Sequence, residues 1–187
     1  MAGKIVHLGD QLESVNTPRA RAEEASKLME PAAHSSGMAV GTDEGLVCLF
    51  NITGEGLNYN RKLDRQQGRI LCLAWHCDGV YIATGCTDTI RVWNIETGHP
   101  TTRMTSGRAD RNKETNIWSL AIIRDMAVIS GDSRGKTSFW NGKNGTLMDS
   151  VQSHKADVLT LAVSGNQTTA YISGVDPTLV HFQVGHS

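Results

Sequence analysis

Ser153, His154 and Asp157 stand close together in "SHKAD", and these three side-chain types make a hydrolytic centre when a base activates a hydroxyl and an acid orients the base. Cys72, His76 and Cys77 form a second grouping with the donor types of a metal site. "GEG" at 54–56 has the glycines of a phosphate-cradling loop. None of the three has the surroundings its chemistry needs. The first trio leads straight into the β-forming run "DVLTLAV", which marks a polar turn; a triad is assembled in space, and adjacency along the chain does not supply it. Zinc ligands come as close cysteine pairs on turns with a second pair further on, whereas Cys72 lies inside the strand-like run "RILCLAW". The glycine pair is too short for a dinucleotide loop and is not followed by a helix-forming segment. We therefore assign no catalytic, cofactor-binding or metal-binding residues, and read Cys48, Cys72, Cys77 and Cys86 as reduced thiols without a disulfide.

Two basic segments remain as candidates for binding. "NRKLDRQQGR" carries Arg61, Lys62, Arg65 and Arg69, and "SGRADRNKETN" carries Arg108, Arg111 and Lys113. The acids Asp64, Asp110 and Glu114 lie among them and offset part of the field. Over all 187 residues, 18 basic side chains face 19 acidic ones, for a formal net charge of -1. That balance exerts no global pull on nucleic acid or membrane, so a charged partner must be met by a local patch. No apolar run is long enough to cross a bilayer, and "MAGKIVHLGDQL" lacks the apolar core of a secretory signal, so an intracellular chain is the expectation.

The elements that position these residues follow from self-similarity. "AVGTDEGLVCLFN" at 39, "ATGCTDTIRVWN" at 83, "ISGDSRGKTSFWN" at 129 and "ISGVDPTLVHFQ" at 172 share one pattern: β-forming residues, a glycine, a polar turn and a strand closing on a bulky residue. Their turn glycines are Gly41, Gly85, Gly131 and Gly174, at steps of 44, 46 and 43 residues. A second frame recurs in "RILCLAW", "NIWSLAI" and "DVLTLAV", aligning Ile70, Ile117 and Val158. A third places a glycine after each closing aromatic, at Gly54, Gly98 and Gly145. The best-formed period predicts four strands, at 69–75, 80–85, 90–94 and 101–105, separated by Gly, Asp, Asn and Thr turns. Such a sheet is covered on both faces by its neighbours, which explains why "IRVW" alternates only imperfectly. Trp93 and Trp140 are then structural residues of the packed faces, and Asp88 is placed to accept backbone or indole hydrogen bonds that close its hairpin.

Spacing and strand ends together resemble the WD-repeat family, with Trp93-Asn94, Trp140-Asn141 and Phe50-Asn51 where the family's Trp-Asp pair would stand. No period shows a full set of the family's histidine, hydroxyl, aspartate and tryptophan. The fold expected is all-β: a partial WD-repeat β-propeller of about three and a half four-stranded blades over 38–187. Residues 1–37 are expected to form a leader unrelated to the repeats, loose or, over "ARAEEASKLME", helical. The runs "LDRQQGRILCLAWH" and "GKTSFWNGKNGTL" are more specific and are similar to the cirhin family, WD-repeat subunits of the small-subunit processome; the similarity covers about Met38 to Gln183.

That resemblance implies a non-catalytic scaffold of the nucleus and nucleolus. Such a subunit acts in early pre-18S rRNA processing by docking other WD-repeat processome subunits near the 5′ external spacer. Contact with pre-rRNA is secondary; there is no membrane, small-molecule substrate or cofactor. The rival readings are a generic adaptor, such as a ubiquitin-ligase substrate receptor or a signalling scaffold, and a propeller enzyme. A partial ring leaves sheet faces and edges uncovered. The polypeptide 1–187 is therefore expected to associate or to be poorly soluble by itself. Light scattering and a melting curve check this; a monodisperse, cooperatively melting monomer is the opposite outcome.

Overall fold

The computed structural model describes residues 4–7, 36–107 and 113–184. They form fifteen strands in four antiparallel sheets, each a simple up-and-down meander. Blade 1 comprises β1 (Lys4–His7), β2 (Ser36–Gly41), β3 (Val47–Thr53) and β4 (Gly56–Lys62). Blade 2 comprises β5 (Cys72–Trp75), β6 (Tyr81–Gly85), β7 (Thr89–Asn94) and β8 (Pro100–Thr105). Blade 3 comprises β9 (Ile117–Ile122), β10 (Ala127–Asp132), β11 (Lys136–Asn141) and β12 (Leu147–Gln152). Blade 4 has three strands, β13 (Thr160–Val163), β14 (Thr169–Ser173) and β15 (Leu179–Gln183). The all-β partial propeller expected from the repeats is what the chain forms.

The leader departs from expectation. The helix expected over 20–30 lies outside the described residues, and no helix occurs among the described ones. Part of the leader is instead a strand: β1 pairs with β2 from Lys4↔Gly41 to His7↔Met38 and completes the first sheet. Its sequence, "KIVH", contains two β-branched residues, and the free edge of β2 offers unpaired backbone groups, so sheet pairing sets the structure there. The half-blade anticipated at the front is therefore a whole one, and the three-stranded sheet lies at the other end.

Within a blade, the polar residues have specific turn duties. The Asn94 side-chain oxygen accepts from the backbone N–H groups of Glu96 and Thr97 at 2.9 and 3.1 Å, and Asn141 does the same for Lys143 and Asn144 at 2.9 and 3.3 Å. An amide oxygen thus closes these turns as a carboxylate would. Gly98 and Gly145 follow with φ of 80° and 78°, conformations that exclude most side chains. In blades 1, 2 and 3 the register between the third and fourth strands shifts just before the closing aromatic, at Leu49/Phe50, Val92/Trp93 and Phe139/Trp140. A bulge there bends the strand and re-aims the ring.

The core lies between blades, in three seams. Ala39, Val47 and Leu49 of blade 1 pack with Leu73, Ile82 and Trp93 of blade 2, over Leu63 and Ile70 from the link between them. Ala83, Ile90, Val92 and Met104 on the other face of blade 2 meet Leu120, Ile122, Val128 and Trp140 of blade 3. Ile129 of blade 3 packs with Val158, Ala170 and Ile172, and Phe139 meets Phe182 edge-on with ring centroids 5.4 Å apart. Each closing aromatic faces the preceding blade: Trp93 is fully buried and Trp140 is 5% exposed. Each indole N–H is satisfied within its own sheet, Trp93 donating to Thr84 Oγ1 at 2.8 Å and Trp140 to Ser130 Oγ at 2.9 Å.

The glycine and isoleucine frames of the sequence are two halves of one contact. A Cβ at Gly41 would stand 2.5 Å from Ile70 Cγ2, and one at Gly85 would stand 2.8 Å from Ile117 Cγ2; at Gly131 it would collide with Val158 Cγ1. The N–H of each of these aliphatic residues donates to the carbonyl just after the glycine: Ile70 to Thr42 at 3.0 Å, Ile117 to Cys86 at 3.3 Å and Val158 to Asp132 at 3.0 Å. The glycines serve close approach between blades.

These seams generate graded expectations for urea unfolding. Trp93→Ala removes a fully buried indole and should cost about 3–5 kcal/mol. Thr84→Val keeps the shape but strands the indole N–H, at about 1–3 kcal/mol. Gly85→Ala overpacks the Ile117 contact, at about 1–3 kcal/mol. Equal midpoints for wild type and Gly85→Ala would show that the seam yields freely.

Candidate interaction face and seam cleft

The trio that opened the sequence reading is not brought together as a catalytic set. Asp157 accepts from the Trp118 indole through Oδ2 at 2.8 Å, so its carboxylate ties blade 3 to the start of blade 4. His154 is buried; its Nδ1 lies 2.9 Å from Ser153 Oγ, and its Nε2 lies 3.1 Å from the Thr178 carbonyl and 3.6 Å from Asp176 Oδ1. Ser153 Oγ is also within 2.8 Å of Thr137 Oγ1 and 3.2 Å of the Gly135 carbonyl. These contacts hold the β12–β13 link against blade 4, with Asp176 Oδ1 buried and without a hydrogen-bond partner among the described residues.

Sequence reasoning missed a comparable cluster in blade 2. Gln66, 2% exposed, accepts through Oε1 from Thr84 Oγ1 at 2.9 Å, and Thr84 in turn accepts from Trp93, making a buried chain of three side chains. Two adjacent glutamines in "DRQQGR" give no signal for which one turns inward. Asp88, at φ 58°, reaches further than its own hairpin. Its Oδ1 accepts from Thr115 N at 2.8 Å, its N–H donates to the Thr115 carbonyl at 2.7 Å, and its carbonyl accepts from Ser106 N at 3.0 Å. It clips the link between blades 2 and 3 at both ends.

The first basic segment runs from the end of β4 into the β4–β5 link, and the described part of the second lies between β8 and β9. Arg61 donates through Nη1 to the Glu96 carbonyl at 2.6 Å and Arg65 through Nε to the Glu44 carbonyl at 2.9 Å, both in exposed positions. A neutral carbonyl fixes a guanidinium without cancelling its charge. Asp64, the acid between them, is engaged by His99 Nδ1 at 2.6 Å. Lys62 and Arg69 are exposed, and so are Glu44 and Glu96 at the turns the two arginines reach. Arg108 and Arg111 lie outside the described residues, as does Asp110; Lys113 is exposed and lines a cleft of about 660 Å³ at the outer part of the seam between blades 2 and 3.

The four cysteines are free thiols, Cys72 and Cys86 buried, Cys48 and Cys77 half-buried. Cys72 donates to the Ile117 carbonyl at 3.2 Å, across the seam.

With three- and four-stranded sheets stacked on indoles and glycines, residues 58–94 match the family described as WD domain, G-beta repeat. The chain carries a WD repeat. It is 33% identical over 178 residues to the protein named U3 small nucleolar RNA-associated protein 4 homolog of Homo sapiens, across 92% of this chain and 26% of that one. The chain spans 20–26% of the length of the curated relatives bearing this name. A short separate match, 70% identical over 30 residues, is to exocyst complex component 5 of Homo sapiens and covers 16% of this chain and 4% of that one. Among solved structures, the computationally designed Ika4 protein shares the fold at a TM-score of 0.65 and 21% identity, over 83% of this chain and 88% of that one.

Burial pushes the Cys86 thiol above the ordinary thiol range, with the nearby Arg91 cation opposing part of the shift. A folded-state pKa above the unfolded value means that the unfolded chain gives up its proton first. The contribution to stability is complete below about pH 8.5 and is lost as pH rises through the folded value. Urea midpoints at pH 7 and pH 10 should therefore fall further for wild type than for Cys86→Ala; identical pH dependence would place the alkaline loss elsewhere.

Proposed function

We propose that the chain is a non-catalytic WD-repeat scaffold in ribosome biogenesis, part of the small-subunit processome in the nucleolus. On this reading it docks other WD-repeat subunits near the 5′ external spacer during early pre-18S rRNA processing, and RNA contact is secondary. The observation that carries the reading is the similarity to U3 small nucleolar RNA-associated protein 4 homolog, which runs through 92% of the chain and so includes every blade. The geometry agrees with a scaffold: the buried hydroxyls, imidazole and carboxylates described above are spent on joining blades.

The exposed surface assigned to such docking is the basic face around the β4–β5 link, where Arg61 and Arg65 each donate to a turn carbonyl and Lys62 and Arg69 are exposed nearby. Arg108, Arg111 and Lys113 occupy the equivalent place in the sequence, and Arg108 and Arg111 lie outside the described residues. Affinity capture from cells distinguishes the reading from its rival. Nucleolar WD-repeat proteins and pre-ribosomal RNA are expected, whereas ubiquitin-ligase subunits would point to a generic adaptor. Charge reversal at Arg61, Arg65, Arg108 and Arg111 should reduce co-sedimentation with pre-ribosomal particles while leaving the urea midpoint within about 0.5 kcal/mol of wild type. Normal co-sedimentation of that variant would remove the face from the binding surface.

A further inference from the structure

We propose that the cleft in the outer half of the seam between blades 2 and 3 binds the sugar–phosphate backbone of single-stranded RNA. The choice of RNA rests on the ribosome-assembly reading; the existence and chemistry of the site rest on the cleft alone.

The cleft follows from what the two facing sheets carry. Toward the inside, Val92, Met104, Val128 and Trp140 fill the seam. Toward the outside, the same face of blade 3 continues with small polar residues: Ser138 on β11 and Ser150 on β12 stand opposite each other in register, their hydroxyls 3.0 Å apart. Short side chains there leave a space of about 660 Å³, within the range of sites that enclose organic ligands.

Among the described residues its charge is one-sided: Lys113, Arg134, Lys136 and Lys155 line it, and no described aspartate or glutamate does. The nearest carboxylate, Asp132, is 3% exposed and lies behind the lining; it accepts from the backbone N–H groups of Arg134 and Lys136 at 2.8 and 3.0 Å. Asp149 alternates with Ser150 on β12, and Glu114 is exposed beside Lys113. Arg134 is fixed from two sides, its Nη2 lying 3.2 Å from Asp132 Oδ2 and 3.3 Å from Ser106 Oγ. Its Nε is buried without a hydrogen-bond partner among the described residues. A buried, unpaired N–H on a clamped cation at the edge of a basic cleft is a donor awaiting an acceptor.

The acceptor that fits is a phosphodiester. Lysines act as point charges suited to phosphate, and serine, glutamine and arginine side chains are the common partners of phosphate and sugar oxygens. Ser133 and Gln152 supply such groups beside the cations. An acidic peptide is a poorer match, because the Arg134 guanidinium is already paired with one carboxylate, its Nη2 lying 3.2 Å from Asp132 Oδ2. The apolar lining consists of Trp140, almost fully buried, and Leu147, 52% exposed, which offers a peptide side chain little apolar surface. A recessed cleft of this kind admits one flexible strand more readily than a duplex.

The test uses the full 187-residue chain and a fluorescent twelve-nucleotide oligouridine, with anisotropy followed across salt concentration. Wild-type binding should weaken as salt rises, with a log–log slope of about -0.7 per phosphate engaged. The double variant Lys136→Glu and Lys155→Glu should bind at least tenfold more weakly and lose about 1.4 from that slope. Lys136→Ala with Lys155→Ala should act in the same direction and serves as the folded variant should the reversals disturb packing. Arg124→Glu with Lys143→Glu, exposed in turns of blade 3 and outside the cleft lining, should leave the affinity unchanged. Wild-type affinity in both cleft variants overturns the proposal, and so does equal competition by polyglutamate, which would make an acidic protein the occupant. Retained oligouridine binding in a protein that captures no nucleolar partners would sink the ribosome-assembly reading and leave the cleft standing.

Discussion

One close approach recurs at every seam: a glycine at the end of a blade's second strand lies under a β-branched residue that leads into the next blade. The missing Cβ lets the aliphatic side chain sit against backbone, and the hydrogen bond from its N–H to the following carbonyl fixes both the distance and the angle. Two sheets joined this way can neither slide nor open without breaking a buried backbone hydrogen bond. The rest of each seam is then free to be filled in different ways: by Trp93 and Leu49 in one, by Trp140 and Met104 in the next, by Phe139 and Phe182 in the third.

That freedom shows in the buried polar groups. Blade 2 fastens its indole through Thr84 and Gln66, blade 3 through Ser130 alone among the bonds described, and blade 4 has an imidazole cluster around His154 and a phenyl ring at the closing position. Each arrangement gives a buried donor an acceptor, which is the physical requirement; the identity of the acceptor is secondary. A unit that meets a requirement in several ways loses its motif while keeping its shape, which is why residues 58–94 match a repeat family and the structurally equivalent residues of other blades are absent from that match.

Much of this was legible in the chain itself. Strand positions in blade 2 agree with the spacing argument to within a few residues, and the glycine, isoleucine and aromatic frames are the three sides of the seam contact. What could not be read were partnerships between distant segments. β1 pairs with β2 across an intervening stretch that carries no strand signal, and the four residues of "KIVH" are too short a run to mark a strand without that partner. Gln66 and Gln67 are identical in type, and only the path of the link decides that the first is buried. Asp157 could be paired on paper with its neighbour His154, but its acceptor role toward Trp118 depends on a contact across two blades. The cleft is built from the link, a turn and two strands, and none of its serines or lysines forms a motif.

The stacking has a consequence for how the molecule comes apart. Blade 2 touches a neighbour on both faces and supplies residues to two of the three clusters, whereas blade 4 presents Tyr171 and Leu179 to solvent, 45% and 70% exposed. In stacked sheets cohesion resides in the joints, and blade 2 carries one on each face. Damage there parts blade 1 from blade 3 and bares both of the surfaces it had covered.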